Sequence, residues 1–203
     1  MKFERLVNKT ENAGVNNDVM KQLENLGLTM DDIKGSILDV GAGEGMFASE
    51  LKKVSNAEIV SVNDYKNDDA PEDMVIADVR KLPFADNVFD RVISHASIPN
   101  VFIGMYSEDF PELSEAEIKN SILKSFREIL RVLKPGSKAT MAPVRIANNY
   151  DAEKALARNL MAAIEEIREE SADVIFELIR EVEDPHNQER HRQYRLTLFS
   201  TIE

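Results

Sequence analysis

Apolar side chains in this chain recur with two periods, and the two periods alternate along its length. Val19, Leu23 and Leu26 stand three and four residues apart and Gly27 follows, which predicts a helix with a glycine stop. SILDV (36–40) is an apolar run too short for a helix and reads as a buried strand. In GMFASELKKV (45–54), Phe47, Leu51 and Val54 share one helical face. AEIVSVND (57–64), DMVIADV (73–79) and FDRVISH (89–95) then supply strands two to four. The helical period returns after Ser114, with Ile118, Ile122, Phe126, Ile129, Leu130 and Leu133 as its stripe and Pro135-Gly136 as its expected end. Ser114 and Glu117 have the spacing of a capping box, in which side chains satisfy N–H groups that the first turn leaves unpaired.

SKATMAPV (137–144) is the fifth strand, and Leu156, Leu160, Ile164 and Ile167 predict a helix from 151 to about 170. Near the end Tyr194, Leu196 and Leu198 alternate, so RQYRLTLFST (192–201) reads as a strand that needs a partner. VIFELIREVED (174–184), across the polar turn PHNQERH, is that partner; a helix through ADVIFELIREV is the competing reading. Strands alternating with helices imply a parallel sheet covered on both faces. The expected fold class is therefore α/β: a doubly wound, mostly parallel seven-stranded sheet that ends in an antiparallel hairpin, within one domain spanning 1–203. Residues 1–34 would form a helical cap. ASIPNVFIGMYSEDFPEL (96–113) has apolar side chains without a period and becomes a candidate lid over an acceptor site.

Composition narrows the chemistry. The 203 residues carry a formal net charge of −12, which opposes long-range attraction to a phosphate backbone and makes nucleic acid an unlikely partner. Two basic groups, Arg190, Arg192 and Arg195, and Lys119, Lys124, Arg127, Arg131 and Lys134, are the exceptions; the second is interspersed with glutamates and reads as a solvated face. Without cysteine there are no disulfides, thiolate metal sites or cysteine nucleophiles. No His/Asp/Glu cluster has metal-ligand spacing, so no metal site is expected. MKFERLVNKTENAG lacks the apolar core of a secretory leader, and no apolar run is long enough for a bilayer; a cytoplasmic location and no membrane partner are expected.

Gly41, Gly43 and Gly45 sit between the first strand and its helix, where backbone N–H groups favour negative charge and bare backbone admits a ligand. A dinucleotide fingerprint would place its third glycine at residue 46, which is methionine. Asp64, about 20 residues beyond the loop, suits the ribose hydroxyls of either kind of nucleotide cofactor.

ILDVGAGEGMF resembles motif I of the class I S-adenosylmethionine-dependent methyltransferases. IADVRKLPFADNVFDRVISH is similar to that family's segment from strand three through strand four, and FREILRVLKPGSKATM to its helix and turn before strand five. The resemblance spans residues 36 to 141 and implies the family's Rossmann-like fold, with S-adenosylmethionine as cofactor. It also implies roles. Asp39 and the backbone of Gly41, Ala42 and Gly43 would lie against the methionine portion. Asn63 or Asp64 would bind the ribose, Asp64 being favoured because a carboxylate accepts two hydrogen bonds. Asp78 and the Val79 N–H would meet the adenine, and Ser94, His95 and Ala96 would line the mouth of strand four near the sulfonium. His95 is the candidate general base. The acceptor is expected to be a small molecule, with a protein acceptor still open. A nicotinamide oxidoreductase and a non-catalytic cofactor-binding protein are the alternatives.

Overall fold

A computed structural model describes residues 16–65, 68, 70–103, 113–147, 151–170, 172–183 and 190–201. Its strands are β1 (Ser36–Val40), β2 (Glu58–Asn63), β3 (Val75–Ile76), β4 (Phe89–His95), β5 (Leu133–Ala147), β6 (Asp173–Glu183) and β7 (Arg190–Phe199). The helices are α1 (Asn17–Leu26), α2 (Met46–Val54), α3 (Glu115–Val132) and α4 (Asp151–Glu169). The strands form one sheet in the order β3-β2-β1-β4-β5-β7-β6. Pairing is parallel from β3 through β5 and antiparallel for β5–β7 and β7–β6. The strand pair expected at the C-terminus is present, and the helical reading of residues 172–182 is excluded.

The two-residue period of β1 explains how both faces are covered. Ile37 packs with Val19, Leu23, Leu26, Phe47 and Leu51 from α1 and α2. Its neighbour Leu38 points the other way, into a core with Ile122, Phe126, Leu156 and Leu160 from α3 and α4. Ile93 and Val92 of β4 divide between the two cores in the same manner. Chain order reverses at β1, which has β2 on one side and β4 on the other. Crevices at such a reversal, beyond the carboxyl ends of the strands, hold ligands in open α/β sheets.

Local chemistry sets the element ends. Gly27 adopts φ 65° and closes α1, its N–H bonding the Glu24 carbonyl. The capping box at Ser114 and Glu117 is formed. Three expectations are corrected. Val54 is 39% exposed and belongs to the last turn of α2, beyond the buried stripe of Phe47, Ala48 and Leu51. The third strand shrinks to Val75–Ile76 because turns close on it from both sides, Met74 N–H bonding Pro71 O and Lys81 N–H bonding Asp78 O. Helix α3 ends at Val132, before Pro135-Gly136, and Leu133 is buried in β5. Pro135-Gly136 instead bulges out of that strand: Leu133 pairs with Phe89 and Lys138 with Arg91, so a five-residue step along β5 matches a two-residue step along β4.

The first fifteen residues of the expected cap, residues 104–112 of the candidate lid and residues 184–189 of the hairpin turn lie outside the described residues. Among the described residues no helix is long and apolar enough to cross a membrane, and no group of three or more His, Asp or Glu is placed to hold a metal ion. Members of both basic groups are paired with acids: Lys119 and Arg127 with Glu166, Arg131 with Glu128 and Asp86, Lys134 with Asp90, Arg192 with Glu181, and Arg195 with Glu177.

Candidate functional site

The carboxyl ends of β1 to β4 open into a cleft of about 870 Å³. Of the residues singled out in the sequence, Gly41, Gly43, Asn63, Asp64, Asp78, Val79, His95 and Ala96 line it. Asp39, Ala42 and Ser94 do not.

The loop after β1 reaches the cleft through its glycines. Gly41 and Gly43 have φ of 70° and 56°, a region side chains disfavour. A Cβ on Gly41 would collide with the Ser97 hydroxyl, whereas one on Gly43 would meet nothing within 4 Å. Gly41 is therefore small because another segment crosses it, and Gly43 faces open cleft. The N–H groups of Gly41 and Ala42 both bond Val62 O, at 2.8 and 3.0 Å, so these two donors are used within the fold. Asp39, in β1 two positions before Gly41, is 2% exposed, and its Oδ2 has no hydrogen-bond partner among the described residues. Burial pushes its carboxyl up to about 7.

At the end of β2, Asn63 and Asp64 differ in availability. Asn63 is buried and its side-chain amide donates to Tyr65 O at 3.1 Å. Asp64 is exposed at the cleft and accepts no hydrogen bond from the described residues. Beyond β3, Asp78 turns the chain by accepting the Arg80 N–H, and the Arg80 guanidinium grips both of its carboxylate oxygens at 2.7–2.9 Å. That ion pair holds the Asp78 carboxyl below its ordinary range. Arg80, itself a lining residue, was missed in the sequence, although an arginine two positions after an aspartate in a turn can fold back onto it.

The end of β4 makes a tight corner. The Ser94 hydroxyl is buried and accepts the Ile98 N–H, and Ala96 adopts φ 56° while its N–H bonds Ala142 O. Strain of this kind in a non-glycine residue persists only where surroundings fix it. The corner brings His95, Ser97, Ile98, Val101 and Phe102 to the cleft wall. His95 Nε2 lies 3.1 Å from the Asn25 side-chain nitrogen, on α1. Burial, with a smaller effect of the nearby Arg180 charge, lowers the imidazole to about 4, so the ring is neutral at pH 7. Nothing in the sequence signalled Asn25, since it lies 70 residues from His95.

Comparison with known proteins identifies the family and the fold. Residues 38–141 match the family model described as a methyltransferase domain. The chain is 27% identical over 128 residues to the malonyl-[acyl-carrier protein] O-methyltransferase of Buchnera aphidicola subsp. Baizongia pistaciae, covering 59% of this chain and 44% of that protein. It thus spans less than half the length of that curated relative. Among solved structures, a SAM-dependent methyltransferase from Methanosarcina mazei superposes with a TM-score of 0.56 at 13% identity, covering 93% of this chain and 99% of the other. A Haemonchus contortus phosphoethanolamine N-methyltransferase, in complex with phosphomonomethylethanolamine and S-adenosylhomocysteine, gives 0.55 at 15% identity, covering 91% and 52%. With its matched segment running from β1 into β5, the chain belongs to the class I S-adenosylmethionine-dependent methyltransferases.

Proposed function

We propose that this protein transfers the methyl group of S-adenosylmethionine to a small-molecule acceptor by in-line displacement. The observation that carries the reading is the open space over Gly43 in a cleft that also gathers Asp64, Asp78 and His95. The residues fit the cofactor: the orphaned Asp39 carboxyl behind the loop suits an ammonium group, and the exposed Asp64 carboxylate suits a ribose diol. Asp64 is the better ribose ligand than Asn63, whose amide is already engaged. Asp78 and the Val79 N–H would meet the adenine, with Arg80 sharing or releasing the carboxylate.

When bound, the cofactor supplies a methyl group already activated on a sulfonium. The chain's task is then to orient the acceptor and keep water out. Apolar Ile98, Val101 and Phe102 line the acceptor side of the cleft and serve the second purpose. Similarity to an O-methyltransferase of a malonyl carrier makes a malonyl thioester the first acceptor to assay. Calorimetric titration with S-adenosylmethionine, S-adenosylhomocysteine and NAD tests the cofactor. Binding of the first two is expected, and binding of NAD alone overturns the proposal.

A further inference from the structure

His95 is held through a chain of side chains whose donors and acceptors can be assigned. Arg180 of β6 donates to Asn25 Oδ1 at 2.8 Å and to Gln193 Oε1 at 2.8 Å. A guanidinium only donates, so the Asn25 oxygen must face Arg180 and the Asn25 amide nitrogen must face His95. An amide nitrogen also only donates, so His95 Nε2 must accept. The imidazole proton then sits on Nδ1. No described residue bonds Nδ1, and this atom is absent from the polar atoms sealed from solvent without a partner.

We propose that Asn25 locks His95 as a neutral Nδ1–H donor that positions an anionic acceptor oxygen, a carboxylate, in the cleft. Asn25, with Arg180 behind it, is a positioning residue. This rests on the methyltransferase reading and deepens it. The lone pair a general base would need is committed to Asn25, and the ring stays neutral down to about pH 4. An acceptor served by this histidine must therefore be nucleophilic without losing a proton, and must accept a hydrogen bond. An ionised carboxylate meets both conditions, whereas an amine presents N–H groups to the same donor. In the transfer, the carboxylate oxygen supplies the electron pair of the new O–CH3 bond, the carbon–sulfur pair returns to sulfur, and no proton is released. The Arg180 charge, close enough to depress His95, also favours an anion there.

Long-range 1H–15N correlation spectra of the full-length protein labelled at histidine report the tautomer directly, with His95 identified by comparison with His95→Asn. Expected at neutral pH is a neutral ring protonated at Nδ1. Asn25→Asp should move the proton to Nε2, because a carboxylate accepts, and Asn25→Ala should leave a mixture. In the presence of S-adenosylhomocysteine, added malonate should shift the His95 Nδ1–H resonance, and ethanolamine should not. A wild-type ring protonated at Nε2, or a tautomer indifferent to Asn25→Asp, overturns the lock. A resonance unmoved by malonate overturns the carboxylate assignment. Calorimetry with S-adenosylhomocysteine on the same samples separates the two readings: absence of cofactor binding refutes the methyltransferase site, whereas binding with the wrong tautomer refutes the lock.

Discussion

Asp39→Asn should stabilise the ligand-free protein, and by more at alkaline than at acid pH. The wild-type carboxyl is buried, lacks a partner at Oδ2, and holds its proton to about pH 7 rather than the ordinary 3.8. The unfolded chain releases that proton near 3.8, so between 3.8 and 7 the folded state binds more protons and stability falls as pH rises. Over the whole window the loss is about 4 kcal/mol, an upper bound because a buried charge draws in water and local relaxation. Asparagine has the same shape and never ionises, although its amide introduces donors that cost on the order of 1–3 kcal/mol if unpaired. The pH dependence of the difference between the two proteins is the cleaner signal. From about pH 5 to about pH 8 it should grow by up to about 3 kcal/mol in favour of the variant. In a chain of this length that is roughly 6–12 °C in Tm. Thermal melts of both proteins at the two pH values measure it. A difference that is constant with pH, or that grows toward acid, refutes the argument that Asp39 is a destabilising buried charge. The same variant should bind S-adenosylmethionine more weakly, because this carboxylate is the one assigned to the ammonium group.

Gly41→Ala should destabilise by several kcal/mol, through both its φ of 70° and collision with Ser97, while Gly43→Ala should cost only about 1–2 kcal/mol for its backbone conformation. Urea denaturation ranks the two, and equal losses refute the account. For cofactor affinity the cleft position matters: Gly43→Ala should weaken binding because its methyl enters the open space. Asp78→Ala should weaken S-adenosylmethionine binding about tenfold or more by calorimetry, and unchanged affinity removes Asp78 from the adenine site. Arg80→Ala should leave Asp78 with a higher pKa, since the fork that favours its charged form is lost; NMR titration of the carboxyl reads the direction. Arg195→Ala should speed amide exchange across α1, because Arg195 bonds the Glu24 and Asn25 carbonyls at that helix's end. Unaltered protection of α1 contradicts that role.

Most strands and helices were legible because periodicity is local: Ile37 and Leu38 divide between two cores for the reason their spacing announces. The glycine loop was legible because left-handed backbone has few chemical solutions. What escaped the sequence depends on contacts between distant residues. Nothing near Asp78 states that Arg80 will fold back rather than extend, and nothing near His95 states that Asn25 will meet it. The helix end at Val132 was misread because Leu133 keeps the helical period while the strand pairing of β5 with Phe89 captures it. Proline and glycine signal a break, but the pairing partner decides whether the break ends a helix or bulges a strand.

The hydrogen bonds that hold α1 against the final hairpin join residues far apart in the chain. Arg180 and Asn25 are separated by 155 positions, and Arg195 and Asn25 by 170. Such closures are slow to form, because chain entropy must be lost before the contact exists. His95 therefore acquires its protonation pattern only after the first helix and the last strands have met. The glycine loop takes its contacts from nearer segments, Val62 and Ser97, whereas the Asn25–Arg180 contact needs the C-terminal strands in place. Contact range thus separates two parts of one cleft: the glycine loop is held by segments close to it in the chain, and His95 is held through the chain's two ends.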